Sequence, residues 1–450
     1  MTPLASRHGI WTAAVILLGG ALVVAATIGP ASARTGDKEA GSPSLLGNYL
    51  AGRQARAVND GPAAAEFYGR ALESDPGNPV LLAYALQAET SEGRLDKAAS
   101  LAQELIKVLP RHHLGEMVLG IGAFKAGKLD DAVTHLRAAR NGPIAEIIGN
   151  MALAWVHMAQ GNADAALTTL DGVRAADGAM SYVRYHKGLL AEVAKRPADA
   201  RQFLDRAFRD DPQSLRIALA LSQHLASSGD FKQARVTIDE HVRRSSGTMH
   251  PEVKAVQDKL RKNERVGPLV DTAASGLAEA LFGIGEALSG EGRTDMGASY
   301  LQLALAVKPE FPFALAALAN VYEANKRYED AIAVYDRIPK DTSLHTAIEI
   351  RKAQNLNQME RVEDAKSLLD KLAARDRTDI RPLDALGALM RAHKRHAEAV
   401  DYYTRAINLI GKAEKKHWNY FYARGTSYER MKKWAAAEAD LQRALQLSPE

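Results

Sequence analysis

Cysteine is absent from the chain, which excludes disulfides, cysteine-based zinc sites, iron–sulfur clusters and thiol catalysis. With nothing to pair, cysteine usage is silent on redox compartment. An excess of one charge is missing too. Lys and Arg number 58 against 54 Asp and Glu, a formal +4, too weak a field on so long a chain to argue for nucleic acid. Aromatic residues make up only 6% and β-branched residues are sparse, while Ala and Leu abound, so helix is favoured over sheet. The 450 residues exceed what one hydrophobic core organises, and several domains or a repeat array are expected.

Long apolar runs are also missing, with one exception. Ile10 to Ile28 is apolar or small throughout. Arg7 precedes it, and Pro30 and the A-x-A-like Ala31-Ser32-Ala33 follow, the three parts of a secretory signal peptide. The run is also about long enough to cross a bilayer, which takes roughly 20 residues. Residues 1–33 therefore read as a cleaved signal or as an uncleaved N-terminal membrane anchor. A buried core helix is a third reading, disfavoured by loop-like flanks. In the first two the body is translocated, because the strong positive charge lies on the N-terminal side of the run. No Cys follows it, so a lipoprotein is excluded. Residues 34–44 are then a linker.

Beyond residue 44 the chain repeats. Pro76 and Pro110 are 34 residues apart, and Pro212 falls on the same grid. Ala64, Ala98, Ala132, Ala166, Ala200 and Ala234 follow at the same spacing of 34, and Gly93, Gly127, Gly161 and Gly229 precede the matching alanines by five residues. Each has a physical reason. Antiparallel helices pack closely only where one presents Gly or Ala to the bulk of the other. Pro ends the second helix and sets the turn into the next unit. Later in the chain Leu386-Gly387 precedes Ala399 and Tyr403, and Arg424-Gly425 with Tyr428 precedes Ala437, Leu441, Ala444 and Pro449. Leu318-Ala319 with Tyr322 precedes Ala331 and Tyr335, and Ile284-Gly285 precedes Leu301, Ala304 and Pro309.

This pattern resembles the tetratricopeptide repeat, whose consensus reads W-x2-L-G-x2-Y, then A-x3-F, then P. The resemblance implies an all-α, right-handed α-solenoid of about eleven helix–turn–helix units. On the grid these are 45–78, 79–112, 113–146, 147–180, 181–214 and 215–248, then 278–311, 312–345, 346–379, 380–413 and 418–450. The grid breaks once, over 249–277, where a helical stretch from His250 to Asn263 precedes Gly267-Pro268. Two blocks are expected, six repeats over 45–248 and five over 278–450, with 249–277 as the joint. Within the second block the runs 276–305 and 418–450 resemble an uncharacterised family of exported bacterial tetratricopeptide proteins. That resemblance implies an array continuing past residue 450. A solenoid needs a terminal helix with a polar outer face, and the chain stops at Ser448-Pro449-Glu450, so the array reads as uncapped: a fragment, a truncated product, or one capped by a partner.

Motifs that imitate chemistry do not survive their context. Gly122 to Lys128 reads GAFKAGK, near a phosphate-binding loop, but Leu129 stands where Ser or Thr should, and the run lies inside a helical hairpin. The Gly283 and Gly285 pair echoes a dinucleotide motif from within a helix. His112-His113 and His393/His396 have no carboxylate at ligand spacing and read as solvated helix-face residues. The basic stretch from Arg243 to Arg265 is interleaved with Glu240, Glu252, Asp258 and Glu264, which reads as a solvated helix. No catalytic, cofactor or metal site is expected.

In tetratricopeptide arrays the first helix of each repeat lines the concave surface, and positions 2, 5, 9 and 12 commonly face ligand. In the first block these positions include Tyr49, Met117, Ile121, Phe124, Met151, Trp155, Met158, Tyr182 and Tyr185, an apolar strip with adaptable Met side chains. The other reading is a slipped register or a superhelix so tight that these residues pack on one another. In the second block they include Glu279, Glu286, Asn320, Glu323, Gln354, Asn357, Asp384, Arg391, Tyr422 and Glu429. This is a polar wall whose amides could pair with peptide backbone, or plain solvated surface. Domains that bind chaperone C-terminal carboxylates share a Lys at position 5 and an Asn at position 9. Here those positions hold Tyr49 and Arg53, Ala83 and Gln87, Ala316 and Asn320, so that clamp is absent. The expectation is a non-catalytic scaffold of the bacterial cell envelope that holds other proteins in its groove, periplasmic or anchored in the inner membrane with its body in the periplasm. The alternatives are a membrane-tethered adaptor facing the cytoplasm, or the regulatory repeats of a longer protein whose enzymatic part lies elsewhere.

Overall fold

The computed structural model describes residues 44–173, 177–245 and 249–449; the signal or anchor expected over 1–33 lies outside them. Among the described residues the chain is all α-helix and 3-10 helix, without a strand. The first six helix pairs are α1 (Leu45–Ala57) with α2 (Gly61–Ser74), α3 (Pro79–Ser91) with α4 (Leu95–Val108), and α5 (His113–Lys125) with α6 (Leu129–Ala138). They continue with α7 (Pro143–Ala159) and α8 (Ala163–Asp171), α9 (Asp177–Val193) and α10 (Pro197–Asp210), and α11 (Leu215–Ser227) and α12 (Phe231–Arg244). A single helix, α13 (Pro251–Arg261), follows. Then come α14 (Ala273–Gly290) with α15 (Thr294–Val307), α16 (Pro312–Ala324) with α17 (Tyr328–Tyr335), and α18 (His345–Gln358) with α19 (Val362–Arg375). The last pairs are α20 (Arg381–Ala392) with α21 (His396–Ile410) and, after a 3-10 turn, α22 (Trp418–Arg430) with α23 (Trp434–Leu447).

Each pair is closed by the same turn. Asn59, Gly93, Gly127, Gly161, Lys195 and Gly229, and later Gly292, Lys326, Glu360, Lys394 and Lys432, all take positive φ. The amide after each donates to the carbonyl five residues back, as in Arg94 to Glu89 at 2.9 Å and Lys128 to Ala123 at 2.9 Å. This is a Schellman ending, which satisfies carbonyls that the helix leaves open. It also disposes of GAFKAGK as a phosphate loop: the run ends one helix and turns into the next. The grid alanines then do their packing. Ala98, Ala132, Ala166, Ala200 and Ala234 are wholly buried. Glycines of the first helices face bulky residues of the second. A Cβ on Gly188 would sit 2.6 Å from Leu204, and one on Gly387 would sit 2.6 Å from the Tyr403 ring.

Two compact units divide the chain, one ending at Phe311 and one running from Pro312 to Glu450. Within each, first helices of successive pairs touch one another directly (α3 with α5, α5 with α7, α7 with α9, α9 with α11; α18 with α20, α20 with α22), whereas successive second helices make no comparable contact with one another among the described residues. The second layer is therefore splayed and the first crowded, so each array curves toward its first helices. The packed division differs from the division of the grid. The α14–α15 hairpin, numbered with the second block by period, belongs to the first unit, where α14 lies on α7 and α9 and α15 lies on α3 and α5. The joint contains α13, which packs on α11 and α12 through buried Val253, Val256 and Leu260 and receives a 2.8 Å hydrogen bond from Arg235 at the Leu260 carbonyl. It covers the flank of the sixth pair before the chain turns back.

Candidate functional site

The inner face of the first unit is where the apolar strip was expected to meet a partner. The helices that carry it are the first of each pair, as the register requires, but the chain's own α14–α15 hairpin fills the hollow. Met117, Met151 and Trp155 have no exposed surface, Tyr185 is 1% exposed and Met158 is 8%. Tyr49, Phe124 and Tyr182 are half-buried. Small residues on the hairpin make the fit possible. A Cβ on Gly276 would lie 2.2 Å from the Trp155 ring, and one on Gly283 would lie 2.4 Å from the Tyr182 hydroxyl. Trp155, Met151, Met117 and Tyr185 are thus core, and an open apolar groove there is corrected. The face is apolar because it is an intramolecular interface.

Polar contacts fasten the hairpin at several points. Tyr182 donates to the Ala280 carbonyl at 2.9 Å. Gln87 donates to the Asp295 carbonyl at 3.1 Å and to Ser299 Oγ at 2.7 Å. Arg56 pairs with Asp295 at 3.3 Å. His113 lies between the Ala139 carbonyl at 2.6 Å and the Tyr300 hydroxyl at 2.5 Å, so it is a fastening residue and not the solvated helix-face histidine expected. His112 caps α5, accepting from the Gly115 amide at 3.2 Å.

At the centre lies a buried ion pair that sequence reasoning missed. Glu279, read above as part of a polar wall, is 3% exposed and accepts two bonds from Arg216, Nε to Oε1 at 2.8 Å and Nη2 to Oε2 at 2.5 Å. Tyr185 donates to the same carboxylate at 2.8 Å. Burial pushes the Glu279 carboxyl up, but Arg216 and the Tyr185 hydroxyl pull it further down, so it stays ionised below the usual carboxylate range. Burial likewise pushes the Tyr185 hydroxyl well up, with Glu279 adding to it. Beside them His186 accepts from Trp155 Nε1 at 3.2 Å, and burial drives its imidazole down to about 3. The two partners lie 63 residues apart in sequence, on elements of different blocks, and no local signal pairs them.

The second unit differs. Of its candidates Asn320 and Gln354 are exposed, Asn357 and Arg391 half-buried, and Tyr422 is 47% exposed. The first helices α18, α20 and α22 bring Asn357, Arg391 and Tyr422 onto one curved layer. Asn320 accepts from the Tyr335 hydroxyl at 3.2 Å, and Asn357 Oδ1 lies 2.6 Å from His393 Nε2, so the Oδ1 of each amide is held by a neighbouring side chain. Glu323 is held by Arg351 and by Asn355 Nδ2 at 2.8 Å. Tyr422 packs on exposed Trp418 with ring centroids 5.9 Å apart. The layer presents amides, one guanidinium and an aromatic pair. These recognise extended backbone and planar side chains. Among the described residues no three His, Asp or Glu side chains converge as metal ligands do.

Family models agree with the helix-pair architecture. Two models described as tetratricopeptide repeat match residues 194–260 and residues 151–214 and 282–343. A third, described as the N-terminal repeat region of Psidin, matches 317–444. No curated protein matches the sequence. Among solved structures, one chain of the APC/C hetero-tetramer Cut9–Hcn1 is 15% identical over 89% of this chain and 87% of its own, with a TM-score of 0.32. MamA is 16% identical over 38% of this chain and 92% of its own, at 0.34. YrrB, described as having an unusual peptide-binding site, is 16% identical over 38% and 87%, at 0.29.

Proposed function

The chain is a tetratricopeptide-repeat protein, and from that premise we propose that it is a non-catalytic scaffold binding other proteins along the inner face of its second unit. The carrying observation is the contrast between the two inner faces. The first is closed by the chain's own hairpin, with Trp155 and Met151 wholly buried. The second leaves Asn320 and Gln354 exposed and, further along the array, the aromatic pair Trp418 and Tyr422. Exposed aromatic side chains with a half-buried Arg on one layer match the composition of binding hot spots. The test is a crosslinking pull-down with the full chain. Gln354→Ala with Asn357→Ala and Tyr422→Ala is expected to lose the partners that wild type retains, at unchanged helical circular dichroism. Retention of the same partners by the triple variant overturns the reading.

We also propose export to a bacterial envelope, periplasmic or inner-membrane-anchored. The support is the charged, apolar and A-x-A-like succession over 1–33 and the likeness of 276–305 and 418–450 to exported repeat proteins. Alkaline phosphatase fused after Glu450 is expected to be active in cells, since it matures only outside the cytoplasm. An inactive fusion, with a fluorescent protein bright at the same position, overturns export.

A further inference from the structure

The eighth helix pair departs from the grid. Its second helix, α17, stops at Tyr335 after 8 residues, whereas α19 in the next pair runs for 14. Pro339, three residues beyond the cap Asp336, bars another helical turn, and the chain crosses to α18 in tight turns. The missing helical turns leave a cleft of about 290 Å³ between the end of α17, the first half of α18 and the end of α19. Its floor is apolar, built from Ile338, Ile348, Leu368 and Leu372.

The rim is cationic. Lys340, Lys352, Lys371 and Arg375 line the cleft against Asp336 and Glu349. Both acids are already engaged by Lys352, at 2.6 Å and 3.1 Å. Lys340, Lys371 and Arg375 are exposed, and among the described residues none of the three makes an ion pair. All three line the one cleft, and burial and then Arg375, with Lys340 and Lys352 against Glu349, hold the His345 imidazole on the same rim below its ordinary value. Four cations against two carboxylates leave the rim with an excess of two positive charges; like charges in excess repel one another, and the repulsion is relieved by an anion placed among them. An apolar floor of this size beneath that rim fits an aliphatic body as well as the anionic head. The cleft is separate from the inner face. At about 100° per residue, Gln354 lies about 120–180° around α18 from His345, Ile348, Glu349 and Lys352.

We propose that this cleft is a ligand site for a small amphiphilic anion, a short alkyl chain carrying a carboxylate or phosphate head. The head sits among Lys340, Lys371 and Arg375, and the chain lies on Ile338, Ile348, Leu368 and Leu372. The proposal does not rest on the partner-binding reading of the inner face. The experiment is isothermal titration of the full chain with sodium octanoate and, separately, octyl phosphate, with neutral octanamide as control. Saturable binding of at least one anion is expected, and the tighter of the two identifies the head the site prefers. Lys371→Glu with Arg375→Glu, both exposed and outside the core, should weaken it at least tenfold without changing the unfolding midpoint. The inner-face variant Gln354→Ala should bind as wild type does. Absence of saturable binding by either anion, equal binding by octanamide, or full binding by the double variant overturns the proposal.

Discussion

Lys195 holds a φ of 59° at the turn where Gly93, Gly127, Gly161 and Gly229 stand in sister repeats. A side chain in the left-handed region costs about 1–2 kcal/mol, because Cβ crowds the following carbonyl. The Lys195 side chain is exposed and gains no burial that would offset this. Lys195→Gly is therefore expected to raise stability by about 0.5–1 kcal/mol, the relieved strain less the added freedom of the unfolded chain. The urea midpoint is the measurement, and an unchanged or lower midpoint contradicts the account. Trp155 shows the opposite side of residue-level reading. Its position on the inner stripe follows from the period, and its apolar character fits either a groove or a core. The period places a side chain on a face; it does not say what lies across from that face.

At the scale of the element, the α14–α15 hairpin decides the character of the first unit. Its glycines admit Trp155 and Tyr182, and its Glu279 neutralises Arg216. A buried pair of this kind adds little net stability over well-packed apolar residues, but losing one partner strands the other charge, at about 3–5 kcal/mol. Glu279→Gln is expected to destabilise by that order, whereas Glu279→Met combined with Arg216→Met should cost clearly less than the two single changes summed. A double-mutant cycle from urea unfolding reads this directly, and additive costs would show that the two side chains do not act as a pair. The helix pairs themselves were legible in sequence because alanine burial and the turn recur at a fixed spacing. The docking of the seventh pair was not, because it rests on contacts between residues some 60 to 240 apart, and periodicity carries no information at that range.

Across the molecule, histidine burial is concentrated in the first unit. Burial pushes the His186 imidazole down to about 3 and that of His250 down to about 4, with His112, His113 and His241 also lowered by burial. In the second unit His345 is lowered by burial and Arg375. A folded-state value below the unfolded one, 6.5, means that unfolding takes up protons. The stability such a group contributes is therefore whole above pH 6.5 and is lost as pH falls toward the folded value. Each proton taken up costs about 1.4 kcal/mol per pH unit within that window. The first unit is thus expected to lose stability between pH 6.5 and 4 more steeply than the second. Amide hydrogen exchange at pH 7 and pH 5 checks this: protection in α7, α9 and α11 should fall relative to α20 and α21, and parallel loss in both units would refute it.

What sequence alone determined is local and periodic. It comprises the helix pairs, the left-handed turn, the small residues at helix crossings, and the side of each helix that faces inward. These depend on residues within one 34-residue unit and its neighbour, so a repeated spacing reports them. What only the tertiary structure decided is that the α14–α15 hairpin covers the inner face of the first unit, that Glu279 meets Arg216, and that an early stop in α17 leaves a basic cleft with an apolar floor. Those follow from where distant elements come to rest. That placement depends on shape complementarity between surfaces, such as Gly276 beneath the Trp155 ring, and no spacing along the chain encodes it.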